Sequence, residues 1–153
     1  QKEEIMKQLL FIVLLFSLSS CGTFKKNVNI STLSESKDLI ISLQRGACYG
    51  TCPIYKIEIY SDGSGIYTGT RFVEHIGLTI FNLSETELNL ILSTAKEIGF
   101  SNMKNEYSEP ISDLPTTFIQ IKEKRIIDYI GAPKTLKNLE NLIDKLSQKA
   151  IKE

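Results

Sequence analysis

The spacing of hydrophobic and polar positions changes several times along the chain, and each spacing predicts an element. Apolar and polar residues alternate between Ile54 and Tyr60, which is typical of a strand with one buried face. The dipeptide Asp62-Gly63 indicates a tight turn after that strand, and a second hairpin is expected around Glu123-Lys124. The predicted strands cover residues 39–43, 54–60, 66–73, 78–83, 116–122 and 125–130.

Two stretches instead have the three- to four-residue spacing of an amphipathic helix. Ser84 and Glu87 have the capping-box spacing at the start of the first, and Gly99 ends it. Pro133 sets the start of the second. Its apolar stripe consists of Leu136, Leu139, Leu142, Ile143 and Leu146, and its lysines at 137, 145 and 149 are placed outside. The order ββββ-α-ββ-α predicts an α+β domain, with an antiparallel sheet of about six strands and two helices packed on one face.

The most apolar run, residues 9–18, follows Met6-Lys7 and ends in Leu18-Ser19-Ser20-Cys21. It is well short of the about 20 residues that a membrane-spanning helix needs. A positive start, a short apolar stretch and small residues before a cysteine are typical of a bacterial lipoprotein signal peptide. We therefore expect residues 1–20 to be removed, with residues 1–5 upstream of the natural start. Cys21 would then carry diacylglycerol and palmitate-type acyl chains, which hold a protein on a membrane.

The remaining chain predicts a tether followed by one domain. Residues 21–37 are polar and without periodicity, as in a flexible tether, and residues 38–150 suit a single domain. Gly22 occupies the position where an aspartate would favour retention in the inner membrane, so we expect an outer-membrane protein facing the periplasm. The 18 basic and 18 acidic residues balance, which gives no electrostatic footprint for nucleic acid.

The cysteine count leaves two thiols for other chemistry. Cys48 and Cys52 are four residues apart, and in an oxidising compartment such a pair predicts a disulfide that clamps the turn before the strand at Ile54. The alternative is copper or thiol redox chemistry. Cys-x-x-x-Cys-Pro is similar to the copper site of Sco-type assembly proteins, and His75 would be a third ligand for Cu(I). The hairpin that follows does not match that fold, and zinc would lack a fourth ligand.

Two longer segments carry a family resemblance. The stretch CYGTCPIYKIEIYSDGSGIY from Cys48 to Tyr67, and GAPKTLKNLENLID from Gly131 to Asp144, resemble a bacterial lipoprotein family known as domain of unknown function 6438. The likeness covers residues 39–146. It implies a lipid-anchored extracytoplasmic domain without assigned catalytic residues. It also implies that Asp113 lies where family members tend to have an acidic loop residue.

Candidates for catalysis are few. His75 is the single histidine, and Glu109 and Asp113 share a loop in which an acid–base pair is conceivable. The Pro and Ser residues around them favour a turn instead. No residue set therefore favours an enzyme over a binding module.

The tyrosines of the chain suggest a binding role as the alternative to catalysis. Four of them gather around the first hairpin, where they either pack across strands or form a contact patch: Tyr49, Tyr55, Tyr60 and Tyr67. We expect a non-enzymatic binding or structural module whose contact surface includes Tyr49, Tyr55 and Asp113. Its partners would be the membrane, through the anchor, and an envelope protein or glycan, with no cofactor.

Overall fold

The structure, a computed structural model, describes residues 37–110 and 113–153. The predictions for the signal peptide, for the lipid on Cys21 and for most of the tether lie outside these ranges. Within the described ranges, no helix has the length and apolar character needed to cross a bilayer.

The described chain folds into one seven-stranded sheet and two α-helices. The strands are β1 (Leu39–Arg45), β2 (Ile54–Tyr60), β3 (Ser64–Arg71), β4 (Gly77–Asn82), β5 (Glu106–Tyr107), β6 (Thr117–Ile121) and β7 (Lys124–Asp128). The α-helices are α1 (Glu85–Glu97) and α2 (Lys134–Lys152), and a 3₁₀-helix covers Phe100–Asn102. The strands lie in the order β4-β3-β2-β1-β6-β7-β5, and every neighbouring pair is antiparallel except β5 and β7.

The predicted α+β class, the mainly antiparallel sheet and the two helices are confirmed, whereas the count of about six strands is wrong. The additional strand is β5, which lies within the predicted loop and pairs parallel to β7. A strand of two residues is too short to show a period, so the sequence pattern could not reveal it. The order is therefore ββββ-α-β-ββ-α. The second hairpin turns at Lys122 and Glu123, one residue earlier than predicted.

One face of the sheet forms the core together with both helices. Leu43 of β1 lies opposite Ile57 on one side and Ile119 on the other, and all three side chains are fully buried. Ile91 of α1 and Ile143 of α2 belong to the same buried cluster. Full burial of one such side chain is worth roughly 1.5–3 kcal/mol, so this buried layer contributes strongly to the stability of the fold. Buried positions run from residue 41 to residue 147, so the described part has its own core and is a unit able to fold alone.

The capping box predicted at the start of α1 is present. The Ser84 hydroxyl accepts a hydrogen bond from the backbone N–H of Glu87 at 3.3 Å. In return, the backbone N–H of Ser84 donates to the Glu87 carboxylate at 3.0 Å. These two bonds satisfy amide groups that the first helical turn would otherwise leave unpaired.

The two ends of the sheet differ in character. At one end, called the Lys37 end, Lys37 pairs with Asp62 and the Ser61 N–H donates to the Asp38 carbonyl at 2.9 Å. At the other, called the loop end, β1 finishes at Arg45 and residues 46–53 lead into β2. β1 has seven residues, and each advances the chain by about 3.3 Å, so the two ends are roughly 20 Å apart.

Candidate functional site

Residues 46–53 form a short loop, the disulfide loop, which is closed by a bond between Cys48 and Cys52. Their Cα atoms are 5.8 Å apart, and the predicted disulfide is present. Tyr49 lies at the tip and is 90% exposed, more than any other large hydrophobic side chain of the described residues. The Gly46 N–H donates to the Thr116 carbonyl at 2.8 Å, which ties the base of the loop to the segment before β6. The loop is therefore held at its base and across its middle.

The two strands that carry this loop each place a polar side chain next to its base. Arg45 is the last residue of β1 and is paired in register with Tyr55 of β2. Arg45 has the same strand phase as Leu43, and Tyr55 has the same phase as Ile57, so both side chains point towards the helices. The alternation that builds the core therefore also brings these two groups under α2.

Six side chains meet there in what we call the strand-end cluster: Arg45, Tyr55, Asp128, Lys137, Glu140 and Asp144. The Arg45 guanidinium donates from Nη1 to Glu140 Oε2 at 2.9 Å and from Nη2 to Asp144 Oδ2 at 2.5 Å. Nη1 also donates to the Thr117 hydroxyl at 2.8 Å. The Tyr55 hydroxyl donates to Asp144 Oδ1 at 2.7 Å. Asp144 thus joins β1 and β2 to α2.

The deeper half of the cluster contains two fully buried carboxyl groups, Asp128 and Glu140. Lys137 Nζ lies 2.5 Å from Asp128 Oδ2 and 3.9 Å from Glu140 Oε2. Asp128 Oδ1 and Glu140 Oε1 have no hydrogen-bond donor among the described residues. With Asp144, the cluster holds three carboxyl groups against two cations, so one bound proton would make it neutral.

Burial and neighbouring charges shift the pKa values of three groups in the strand-end cluster. Burial raises the pKa of the Glu140 carboxyl to about 7, with Arg45 and Lys137 opposing the rise and Asp128 adding to it. Burial alone would lower the pKa of Arg45, but the charges of Asp144 and Glu140 raise it above its ordinary value. Burial and the Asp144 carboxylate raise the pKa of Tyr55. Arg45 therefore stays charged and Tyr55 stays protonated at neutral pH, while Glu140 titrates near neutrality.

The strand-end cluster is suited to holding β1 and β2 in a fixed position relative to α2. The charged atoms of Arg45 and Asp144 are directed at one another, and their side chains are 18% and 20% exposed. Removing one partner of such a buried network leaves an uncompensated charge, so the network strongly favours a single geometry. The consequence for the molecule is a disulfide loop whose two supporting strands are fixed to α2.

The other tyrosines around the hairpin have packing roles. Tyr55 is half-buried against the core, and its ring stacks on that of Tyr67 with centroids 5.4 Å apart. Tyr60 is buried. Of the four tyrosines, only Tyr49 is exposed on the surface, so Tyr49 and Tyr55 do not form one exposed patch. A direct contact role for Tyr55 stays a prediction.

Asp113, the acidic member of the predicted contact surface, is exposed and has a left-handed backbone at φ 78°. It precedes Thr116, whose carbonyl accepts the hydrogen bond from Gly46. The disulfide loop and the segment before β6 are therefore neighbours at the loop end. Glu109 is also exposed. Nothing in these positions supplies the buried environment that tunes a general acid or base.

The residues of the copper alternative are placed as follows. The sulfurs of Cys48 and Cys52 are joined, so neither is a free thiolate in this state. His75 is half-buried in the turn between β3 and β4, and its Nε2 has no hydrogen-bond partner in the described part of the chain. Within residues 37–110 and 113–153, no three His, Cys, Asp or Glu side chains are grouped to hold a metal.

Sequence reasoning missed four members of the strand-end cluster: Arg45, Asp128, Glu140 and Asp144. It also placed Lys137 outside, whereas its half-exposed side chain reaches back to the buried Asp128. A usable signal was present. Glu140 is four residues after Leu136 and three before Ile143, so it has the phase of the buried stripe. A charged residue in a buried phase indicates a paired charge, because an unpaired one is too costly to bury.

The comparisons with known proteins agree with the resemblance seen in the sequence. A search of curated proteins gave no significant match. A family model described as Domain of unknown function (DUF6438) matches residues 39–147. This match includes all seven strands, the disulfide loop, the strand-end cluster and most of α2. The chain therefore belongs to the DUF6438 family.

Proposed function

We propose that the protein is a lipid-anchored binding module of the bacterial envelope that presents the disulfide loop to a partner protein. The observation that carries this proposal is the 90% exposure of Tyr49 on a loop held by a disulfide and by the Gly46–Thr116 hydrogen bond. Tyrosine is enriched among residues that dominate binding energy. A loop fixed in advance loses little entropy on binding, so its contacts count almost fully towards affinity.

The direction of the loop supports the same proposal. The predicted tether reaches the domain at the Lys37 end, and the disulfide loop is roughly 20 Å away at the opposite end of β1. If acyl chains at Cys21 hold the protein on a membrane, this geometry leaves Tyr49 free to meet a partner away from the lipid surface. In this proposal the strand-end cluster contributes to binding because it fixes β1 and β2, the two strands that carry the loop.

Anchoring is tested separately from binding. Metabolic labelling with palmitate should mark the wild-type protein and leave a Cys21→Ser variant unmarked. The wild-type protein should be found in the membrane fraction, and its processing should stop when the lipoprotein signal peptidase is inhibited. An unlabelled wild-type protein would overturn the anchored part of the proposal while leaving the loop untouched.

The partner is tested by placing a photo-crosslinking amino acid at position 49 in cells. The matched control position is Leu90, which is 48% exposed on α1. We expect one discrete adduct from position 49 and none of that mass from position 90. The protein identified in the adduct should then bind the purified domain at least tenfold more weakly after Tyr49→Ala. Equal adducts from both positions, or equal affinity of the variant, would refute a binding role for the loop.

A further inference from the structure

A second feature lies away from the disulfide loop, between α1 and the turn joining β6 to β7. It is a groove of about 650 Å³, a volume typical of sites for small molecules. Its apolar floor and walls come from Leu92, Ala95, Phe100 and Ile121. An open groove with an apolar floor and a few polar groups at its rim is the usual form of a ligand site.

Three lysines surround this apolar surface from opposite sides. Lys96 belongs to the last turn of α1, and Lys122 and Lys124 belong to the turn between β6 and β7. The one acidic side chain in the lining is Glu123. Across residues 37–110 and 113–153, none of these three lysines forms an ion pair with a carboxylate. The rim therefore has an excess of positive charge that the surrounding protein does not neutralise.

Lys124 is also fixed in place. Its Nζ donates to the Met103 carbonyl and to the Asn105 side-chain oxygen, both at 2.6 Å. An ammonium group has three N–H donors, and both of these acceptors are neutral. These two hydrogen bonds therefore leave the positive charge of Lys124 uncompensated beside the groove.

From these observations we infer that the groove binds a long-chain carboxylate, with its alkyl chain along the apolar floor and its head group among the lysines. The apolar floor selects the alkyl chain, because burial of apolar surface is favourable. The excess positive charge selects the sign of the head group. The backbone N–H of Lys122 donates to the Ile40 carbonyl at 2.8 Å, so the groove lies towards the Lys37 end, opposite Tyr49. This site is separate from the loop, and its ligand would bind whether or not the protein carries a lipid anchor.

The test is a titration of decanoate into the domain from Gly22 onward, below the micelle concentration of the ligand, followed by calorimetry and by backbone amide NMR. We expect saturable one-to-one binding, with the largest shifts at Leu92, Phe100 and Ile121. Decyl alcohol and decyltrimethylammonium, which have the same chain, should bind at least tenfold more weakly. Equal binding of the cationic amphiphile would overturn the proposal, because the lysines would then have no role.

Charge reversal separates the groove from the general surface. Lys96→Glu with Lys122→Glu should weaken decanoate binding at least tenfold. Lys134→Glu with Lys145→Glu alters two exposed lysines of α2 that lie outside the groove and form no ion pair with any residue that the structure describes, and it should change decanoate binding less than twofold. Ser93→Trp, which fills the groove from α1, should also abolish binding. Equal effects of the two double variants would refute the site, as would the absence of saturable binding or binding only to anionic phospholipid vesicles.

Discussion

The protonation of Glu140 should make the stability of the domain fall as the pH rises through neutrality. The Glu140 carboxyl is fully buried beside Asp128, and burial raises its pKa from an ordinary 4.5 to about 7. Between these two values the folded protein holds a proton that the unfolded chain has released. The free energy of unfolding then decreases with rising pH, because the state that binds more protons is favoured at low pH.

The size of the effect follows from the two pKa values. Proton linkage with pKa values of about 7 folded and 4.5 unfolded gives a loss of about 2–3 kcal/mol between pH 5 and pH 8. Most of this loss falls between pH 5 and pH 7. Asp62 and Glu87 shift the other way, because hydrogen bonds from Lys37 and from Ser84, respectively, lower the pKa of each to about 2. Their stabilisation is lost only below about pH 4, outside this window.

The assay is urea unfolding of the domain at several pH values from 5 to 8 at constant ionic strength. Glu140→Gln keeps the shape of the side chain without its titration, so its slope should be nearly flat in this window. Glu97→Gln, an exposed carboxyl of α1, is the matched control and should keep the wild-type slope. A His75→Gln variant, which removes the one histidine of the chain, is a second control.

Two results would contradict this reasoning. The first is a wild-type free energy of unfolding that is flat or rises from pH 5 to pH 8. The second is a Glu140→Gln variant whose slope equals that of the wild type while His75→Gln abolishes it. Either result would mean that Glu140 is ionised throughout and that its charge is compensated by Arg45 and Lys137.

Three further sets of substitutions test the strand-end cluster, the disulfide and the cap of α1. Arg45→Met leaves two carboxylates of the cluster without their shared cation and should lower the free energy of unfolding in urea by about 3–5 kcal/mol. Arg125→Met, on the exposed surface of β7, is the control and should lower it by less than about 1 kcal/mol. Cys48→Ser with Cys52→Ser opens a five-residue loop and should cost about 2 kcal/mol, and without reductant the wild-type domain should show no labelled thiol at either position. Ser84→Ala removes the cap of α1 and should lower the free energy of unfolding by about 1 kcal/mol, and a loss below 0.2 kcal/mol would show that the cap is dispensable.

Local patterns were sufficient to predict most of the fold. The alternation at Ile54–Tyr60 placed Ile57 and Ile59 on one face, and both are fully buried. The capping box before α1 and the apolar stripe of α2 are present as expected. These features depend on residues that are close in sequence, where helix and strand periods fix which side chains share a face. The disulfide was predicted for the same reason, since its two cysteines are four positions apart.

The features that were missed depend on distant residues. β5 exists because Glu106 and Tyr107 lie beside β7, and two residues alone have no strand signal. Arg45 meets Glu140 across 95 positions and Asp144 across 99. No local rule states which charged residue of α2 will lie over which strand. That pairing depends on the direction in which the helix crosses the sheet.

The crossing of α2 over the strand ends accounts for the whole cluster. Lys137, Glu140, Asp144 and Gln148 contact residues of four strands that lie in order across the sheet, namely Asp128 of β7, Arg45 of β1, Tyr55 of β2 and Tyr67 of β3, with β6 between β7 and β1. The helix rises about 16 Å over the eleven steps from residue 137 to residue 148, and the four spacings from β7 to β3 cover about 19 Å. The helix therefore runs nearly perpendicular to the strands, with about one turn for each strand or pair of strands. Polar residues spaced three or four apart on α2 consequently meet one strand after another across the sheet, and the loop that carries Tyr49 is fixed by the same helix that closes the core.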